Sequence, residues 1–224
     1  MRSDINKVQA YTHDRWLDWR KRGLVLGKNE ILEFVRKMKA RDHVIFFYTN
    51  HRDKHLVLFT YLKAGLDAGE GVVYVASDES SSEIREAMND FGLDVKHHEK
   101  KGALRIVDYP DWYIIGGEFN IHRTISLWKK ARNEAVARGF DGLRVAGEMA
   151  CFFKHNMINE LVLYERALHR EHEIPLAAIC AYDDAVVLKG AEEERYLRLY
   201  LDLVTAHSTI LFAGPQEAGM VRVV

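Results

Sequence analysis

The sequence predicts an α/β fold, a mainly parallel sheet of five to six strands with helices on both faces. Three observations carry that prediction. From Asp42 onward, short apolar runs alternate with helix-length segments five times, the pattern of strands joined by helical crossovers. The runs His43-Val-Ile-Phe-Phe-Tyr48 and Gly71-Val-Val-Tyr-Val-Ala76 are apolar at successive positions, as strands buried on both faces are. At 224 residues and 48% hydrophobic, the chain is long enough for one well-filled domain with an appendage, on about 150 residues per domain. The division read from the pattern is a helical arm over residues 1–40 and an α/β domain over 41–224.

The elements follow in order. Tyr11 to Arg22 is rich in aromatic and basic side chains, with Trp16 and Trp19 three apart on a candidate helix. A second helix over Asn29–Lys39 carries Ile31, Leu32, Phe34, Val35 and Met38 as an apolar stripe; the arm is expected to dock on the domain, with a dimer contact or partner binding as the alternatives. His43–Tyr48 is the first strand and Leu56–Ala68 a buried helix. Gly71–Ala76 is the second strand. Ser80–Phe91 is a helix with serine caps and Ile84, Ala87, Met88 and Phe91 at helical spacing. The charged stretch around His97-His98 reads as a solvated connection. Leu104–Val107 is the third strand, followed by an aromatic loop, Tyr109–Tyr113. A long helix over Glu118–Arg138 ends at Gly139. Leu143–Ala146 is the fourth strand, Met157–Arg170 the next helix and Leu176–Tyr182 the fifth strand. Glu192-Glu-Glu194 suits the positive end of a final helix reaching Ala206. Thr209–Phe212 and Met220–Val224 are the remaining strand candidates.

Composition excludes several classes. The 32 Lys+Arg against 33 Asp+Glu leave a net charge of −1, which argues against gripping nucleic acid by bulk charge. No run approaches the ~18 apolar residues of a membrane span, and Met-Arg-Ser-Asp-Ile-Asn lacks the apolar core of a signal peptide. Two cysteines, Cys151 and Cys180, are too few for a disulfide framework, so a reducing cytoplasm is the expected location.

In open α/β sheets ligands bind outside the carboxyl ends of the strands, so the residues after each strand are the candidates. After the first strand, Tyr48-Thr-Asn-His-Arg-Asp-Lys-His55 aligns Lys54 with the lysine of a phosphate loop, G-x-x-x-x-G-K-[ST]. Tyr48 and Asp53 replace its glycines and His55 its hydroxyl residue, so ordinary nucleotide hydrolysis is disfavoured. After the fourth strand, period two places Arg144, Ala146 and Glu148 on one side, with Arg144 and Glu148 roughly 13 Å apart at about 3.3 Å per residue. They therefore need separate partners. Glu165 lies inside the apolar stripe of Ile158, Leu161, Val162 and Leu168, where a carboxylate must be paired or protonated. Arg144 is its expected partner, with the Tyr164 hydroxyl alongside. After the fifth strand, Cys180 and Tyr182 share a face and Asp183 stands at the mouth. No base is identifiable beside Cys180, so a small buried hydrophobe is preferred to a nucleophile. His207 either caps the last helix or reaches the site. His169 and His172 lack a third ligand at diagnostic spacing, and no metal or other cofactor is expected. Tyr48, Trp112, Tyr113, Phe152, Phe153 and Tyr182 are aromatic pocket candidates, with packing as the alternative role for the loop pair.

Taken in order, Phe46-Phe-Tyr48, Tyr61-Leu-Lys-Ala-Gly-Leu66, Gly117-Glu-Phe-Asn120, Gly139-Phe-Asp-Gly-Leu-Arg-Val-Ala-Gly-Glu-Met149, Tyr164-Glu165 and Cys180-Ala-Tyr-Asp183 resemble the MEDS sensory domain of methanogen and methylotroph regulators. The resemblance covers about Asp42 to Phe212. It implies a RecA-like or clock-ATPase-like three-layer sandwich with a degenerate phosphate loop. It further implies a non-catalytic sensor of small organic molecules, such as hydrocarbon derivatives, that feeds a transcription or kinase partner. Carried over by position, the family's polar residues fall on Tyr48, Arg144, Glu148, Glu165, Tyr182 and Asp183. The ligand-binding set is thus Tyr48, Trp112, Tyr113, Arg144, Glu148, Tyr164, Glu165, Cys180, Tyr182 and Asp183. No catalytic residue, nucleic-acid contact or membrane contact is expected. Two alternatives stay open: a nucleotide-binding protein using Lys54 and His55, and a scaffold whose tryptophan-bearing arm mediates assembly, including a homodimer.

Overall fold

The computed structural model describes residues 27–170, 174–188, 194–214 and 218–222. Trp16, Trp19, His172 and the Glu192-Glu193 pair lie outside them. In chain order the elements are α1 (Lys28–Arg36), β1 (His43–Tyr48), α2 (His51–Asp67), β2 (Gly71–Ala76), α3 (Ser81–Asp90), α4 (Val95–Lys101) and β3 (Leu104–Asp108). A short ribbon of β4 (Ile114–Ile115) and β5 (Glu118–Phe119) follows, then α5 (Ile121–Ala137), β6 (Leu143–Glu148), α6 (Ala150–Lys154) and α7 (Ile158–Arg170). The chain continues through β7 (Ala177–Asp183), α8 (Asp184–Leu188), α9 (Glu194–Thr205), β8 (Thr209–Ala213) and β9 (Ala218–Arg222).

Seven strands form one sheet in the order β3-β2-β6-β7-β1-β8-β9. Every pairing in it is parallel except β8 with β9, which closes the edge as an antiparallel hairpin. The sheet is one strand wider than the sequence reading, because both C-terminal runs join it. β1, β2 and β6 are buried at every position; the apolar runs of β1 and β2 call for this, while β6 also buries Arg144 and Glu148. Alternation along β1 divides the core in two. Val44, Phe46 and Tyr48 face the layer shared with α1, α2 and α3. Ile45 and Phe47 face the layer shared with α5, α6, α7 and α9. α1 docks against α2 through Ile31, Leu32 and Val35, as its apolar stripe anticipates.

Local caps explain the boundaries. Asn50 accepts from the Asp53 amide at 2.9 Å and starts α2 five residues earlier than its apolar pattern does. Ser80 and Glu83 form a capping box on α3. The stretch expected to be a solvated connection is α4 instead. Asp94 accepts from the His97 amide at 3.0 Å, and Gly102 ends the helix in the left-handed region at φ 72°. Only Val95 of α4 is buried, so the helix shows almost no apolar periodicity.

Candidate functional site

The carboxyl ends of β1, β2 and β6 converge on Lys54, in the first turn of α2. The Lys54 side chain is fully buried. Its Nζ lies 2.6 Å from Glu148 Oε1, 2.6 Å from Glu79 Oε2 and 3.4 Å from Asp78 Oδ2. Burial lowers the ammonium's pKa, but Glu148 and Glu79 outweigh it and leave the pKa raised, so the charge persists. Glu148 is saturated: it accepts from Lys54, the Tyr74 hydroxyl and the amides of Ser77 and Asp78, each at 2.6 Å. The rim is filled as well. His51 reaches Asp78 at 2.8 Å, His55 reaches Glu79 at 2.7 Å, and the Tyr48 hydroxyl donates to Asp78 at 3.2 Å. Asp53, at the second missing glycine, is held by Lys28 from α1 at 2.6 Å. Three carboxylates therefore surround the one ammonium that a phosphate would need, and an incoming anion meets net negative charge.

The other expected residues go elsewhere. Arg144 does not reach Glu165. It pairs with Glu70 and donates to the carbonyls of Val35 at 3.2 Å and Tyr61 at 3.4 Å. Its side chain lies against Gly65 of α2, where an added Cβ would stand 2.7 Å from Arg144 Cδ. Arg144 therefore clasps α1 and α2 to the sheet on one face, while α7, which carries Glu165, packs on the other. The loop aromatics are packing residues. Trp112 is fully buried against Trp128, with centroids 4.6 Å apart, and Tyr113 packs between Phe152 and Tyr164. The Tyr164 hydroxyl accepts from Trp128 Nε1 at 2.8 Å rather than contacting Glu165. Asp183 caps the start of α8 by accepting from the Ala185 amide at 2.8 Å.

Glu165, Cys180 and Tyr182 do come together, in the middle of the second core layer. They meet two histidines, His43 at the start of β1 and His207 just before β8, and all five are nearly or fully buried. His43 Nε2 is 3.3 Å from Glu165 Oε2 and 3.4 Å from Cys180 Sγ. His207 Nε2 is 3.4 Å from the same Glu165 oxygen, and Cys180 Sγ is 3.3 Å from it. The other Glu165 oxygen accepts from the Tyr182 hydroxyl. Burial would raise the Glu165 pKa, but His207 and then His43 outweigh it and hold the carboxyl well below the usual range. Burial, reinforced by His207, pushes His43 down to about 4. Burial and the Glu165 carboxylate push the Cys180 thiol well up, so no thiolate nucleophile forms there. The sequence reading missed His43, which it absorbed into an apolar run. The available signal was a histidine at a position flanked on every side by buried strands.

The fold resembles solved structures at low identity. The KaiC-like protein PH0186 of Pyrococcus horikoshii OT3 superposes with a TM-score of 0.53 at 17% identity, over 79% of this chain and 73% of that one. A second protein of that organism, PH0250, gives a TM-score of 0.54 at 10% identity, over 87% and 92%. These likenesses establish a RecA-type fold. A stretch of 48 residues is 44% identical to UPF0273 protein PH0284 of Pyrococcus horikoshii, 21% of this chain and 19% of that protein. That match spans about a fifth of the relative's length. The MEDS family, MEthanogen/methylotroph, DcmR Sensory domain, matches residues 42–194. With more than half of its length inside that match, the chain belongs to the MEDS family.

Proposed function

We propose that this chain is a sensory domain that binds a small organic molecule, passes the signal to a transcription or kinase partner, and hydrolyses no nucleotide. The observation that carries the non-hydrolytic part is the Lys54 locus. The lysine that would cradle phosphate is bound by Glu148 and Glu79, both at 2.6 Å, and Asp53 stands where the loop would need glycine. The RecA-type fold supports a nucleotide reading only as ancestry, since the side chains at that place repel phosphate. The sensory part follows from family membership.

A place for the ligand is the cavity of about 350 Å³ lined by Arg41, Asp42, His43, Leu168, Leu176 and Ala178, among others, within the size range of small-molecule sites. Its lining divides evenly between polar side chains, Arg41, Asp42, His43 and His169, and apolar ones, Leu168, Ile174, Leu176 and Ala178, which suits a small organic compound with both a polar group and an apolar part. It lies at the amino ends of β1 and β7, opposite the edge that the strand rule favours. Thermal-shift screening with short-chain alcohols, halocarbons and organic acids tests the reading. A hit at about 100 times its Kd adds roughly 2.7 kcal/mol of stability, and Leu176→Trp, which fills the cavity, abolishes the gain. Hits that survive Leu176→Trp place the ligand elsewhere, and stabilisation by nucleotide alone overturns the proposal.

A further inference from the structure

We propose that His43, Glu165, Cys180 and His207 form a tetrahedral site for a divalent transition-metal cation, zinc foremost. The site does not depend on the sensory reading, and it shares only His43 with the ligand cavity.

The geometry is that of a preformed cage. A zinc ion with ligands at about 2.0–2.3 Å has tetrahedral edges of roughly 3.3–3.8 Å. The structure shows four such edges: 3.3 Å from His43 Nε2 to Glu165 Oε2, 3.4 Å from His43 Nε2 to Cys180 Sγ, 3.3 Å from Cys180 Sγ to Glu165 Oε2, and 3.4 Å from His207 Nε2 to Glu165 Oε2. All four donor atoms lie within 4.8 Å of one another. One of them points to an occupant directly. His207 Nε2 is buried and makes no well-formed hydrogen bond, its nearest polar neighbour being Glu165 Oε2 at 3.4 Å, while its Nδ1 lies 2.7 Å from the Leu203 carbonyl. Donation from Nδ1–H to that carbonyl leaves the Nε2 lone pair aimed into the cluster, the outer-shell device by which proteins orient metal-binding imidazoles. The Tyr182 hydroxyl serves Glu165 in the same way, occupying the carboxylate oxygen that faces away from the histidines.

The donor types select the ion. Two imidazoles, a thiolate and a carboxylate suit zinc and its borderline neighbours, whereas magnesium and calcium take oxygen cages. Charge also closes: two neutral imidazoles, one thiolate and one carboxylate contribute −2, which a divalent cation cancels in a buried site. On binding, a Cys180 S–M bond replaces the S–H bond, and the proton leaves to solvent. The ligands come from β1, α7, β7 and the turn before β8, so the ion would staple three adjacent strands, β7-β1-β8, to the helix above them.

Elemental analysis of the full chain, purified without chelator, is expected to find about one zinc per chain. After chelation, cobalt(II) is expected to give the intense visible bands of tetrahedral coordination and a near-ultraviolet thiolate charge-transfer band. Cys180→Ser removes the charge-transfer band, and Cys151→Ser keeps it; these are the chain's two cysteines. Tyr182→Phe retains the ligands and weakens zinc binding roughly 10–100-fold in a chromophoric chelator competition. If Cys180→Ser does not fold, the wild-type cobalt spectrum together with Cys151→Ser decides the question alone. A metal-free chain that binds neither zinc nor cobalt overturns the proposal. So does a weak octahedral cobalt spectrum, or a charge-transfer band lost with Cys151.

Discussion

Replacing Lys54 by Met tests whether the phosphate-loop position has become a structural ion pair. Methionine keeps the length and apolar stem of the lysine, so packing against α2 and β6 is largely preserved. What disappears is the ammonium 2.6 Å from Glu148 Oε1 and 2.6 Å from Glu79 Oε2. Glu148 is fully buried and keeps only Tyr74 and two amides as donors, so its charge is left uncompensated. Removing one partner of a buried pair costs about 3–5 kcal/mol. At 2–4 °C per kcal/mol for a chain of this size, the midpoint falls by roughly 6–20 °C. Urea unfolding at neutral pH measures the free energy, and calorimetry measures the midpoint. Adding Glu148→Gln to Lys54→Met removes the stranded charge and restores part of the loss, a coupling of about 1–3 kcal/mol in the double-mutant cycle. A single-variant loss below about 1 kcal/mol, the range of an exposed pair, would refute the reasoning.

Other outcomes follow from the same contacts. Glu79 is held down at about 2 because hydrogen bonds from His55 and Lys54 outweigh its burial, and Asp78 and Asp53 are lowered too. Their folded pKa values lie below the unfolded ones, so their stabilisation is present above about pH 4.5 and is lost as pH falls towards 2; Glu79→Gln flattens the melting midpoint across that window. Arg144→Met strands Glu70 and the carbonyls of Val35 and Tyr61, costing about 1–3 kcal/mol, and hydrogen exchange then quickens first in α1. Gly147→Ala would place a Cβ 2.1 Å from the Tyr113 hydroxyl and costs about 1–3 kcal/mol in urea unfolding, part of which Tyr113→Phe restores.

The strands were readable because burial on both faces imposes a continuous apolar run; β1 and β2 match their predicted limits residue for residue. Tyr48 and Asp53 are legible in the sequence as poor substitutes where glycine would let backbone amides close on phosphate. Glu165 was correctly placed in the core from helical periodicity, but its partner was not. Period two sets Arg144 on the same side of β6 as Glu148, and both face α2; α7 covers the opposite face, so the sheet itself separates Arg144 from Glu165. Which helix covers which face is a tertiary fact that no local spacing records. The same holds for His43 and His207, 164 positions apart in the sequence, whose rings lie 4.1 Å apart because β1 and β8 are neighbours. Trp112 and Tyr113 could by sequence either line a pocket or pack, and it is Trp128 of α5, Phe152 of α6 and Tyr164 of α7 that close against them.

At the phosphate-loop position of this RecA-type fold, we propose, an internal charge network stands in place of phosphate recognition. Calorimetric titration of the intact chain with Mg-ATP at physiological salt tests it most directly. No saturable heat is expected for the wild type, because Lys54 is already bound and Asp78, Glu79 and Glu148 repel the triphosphate. A saturable isotherm that disappears in Lys54→Met would contradict it.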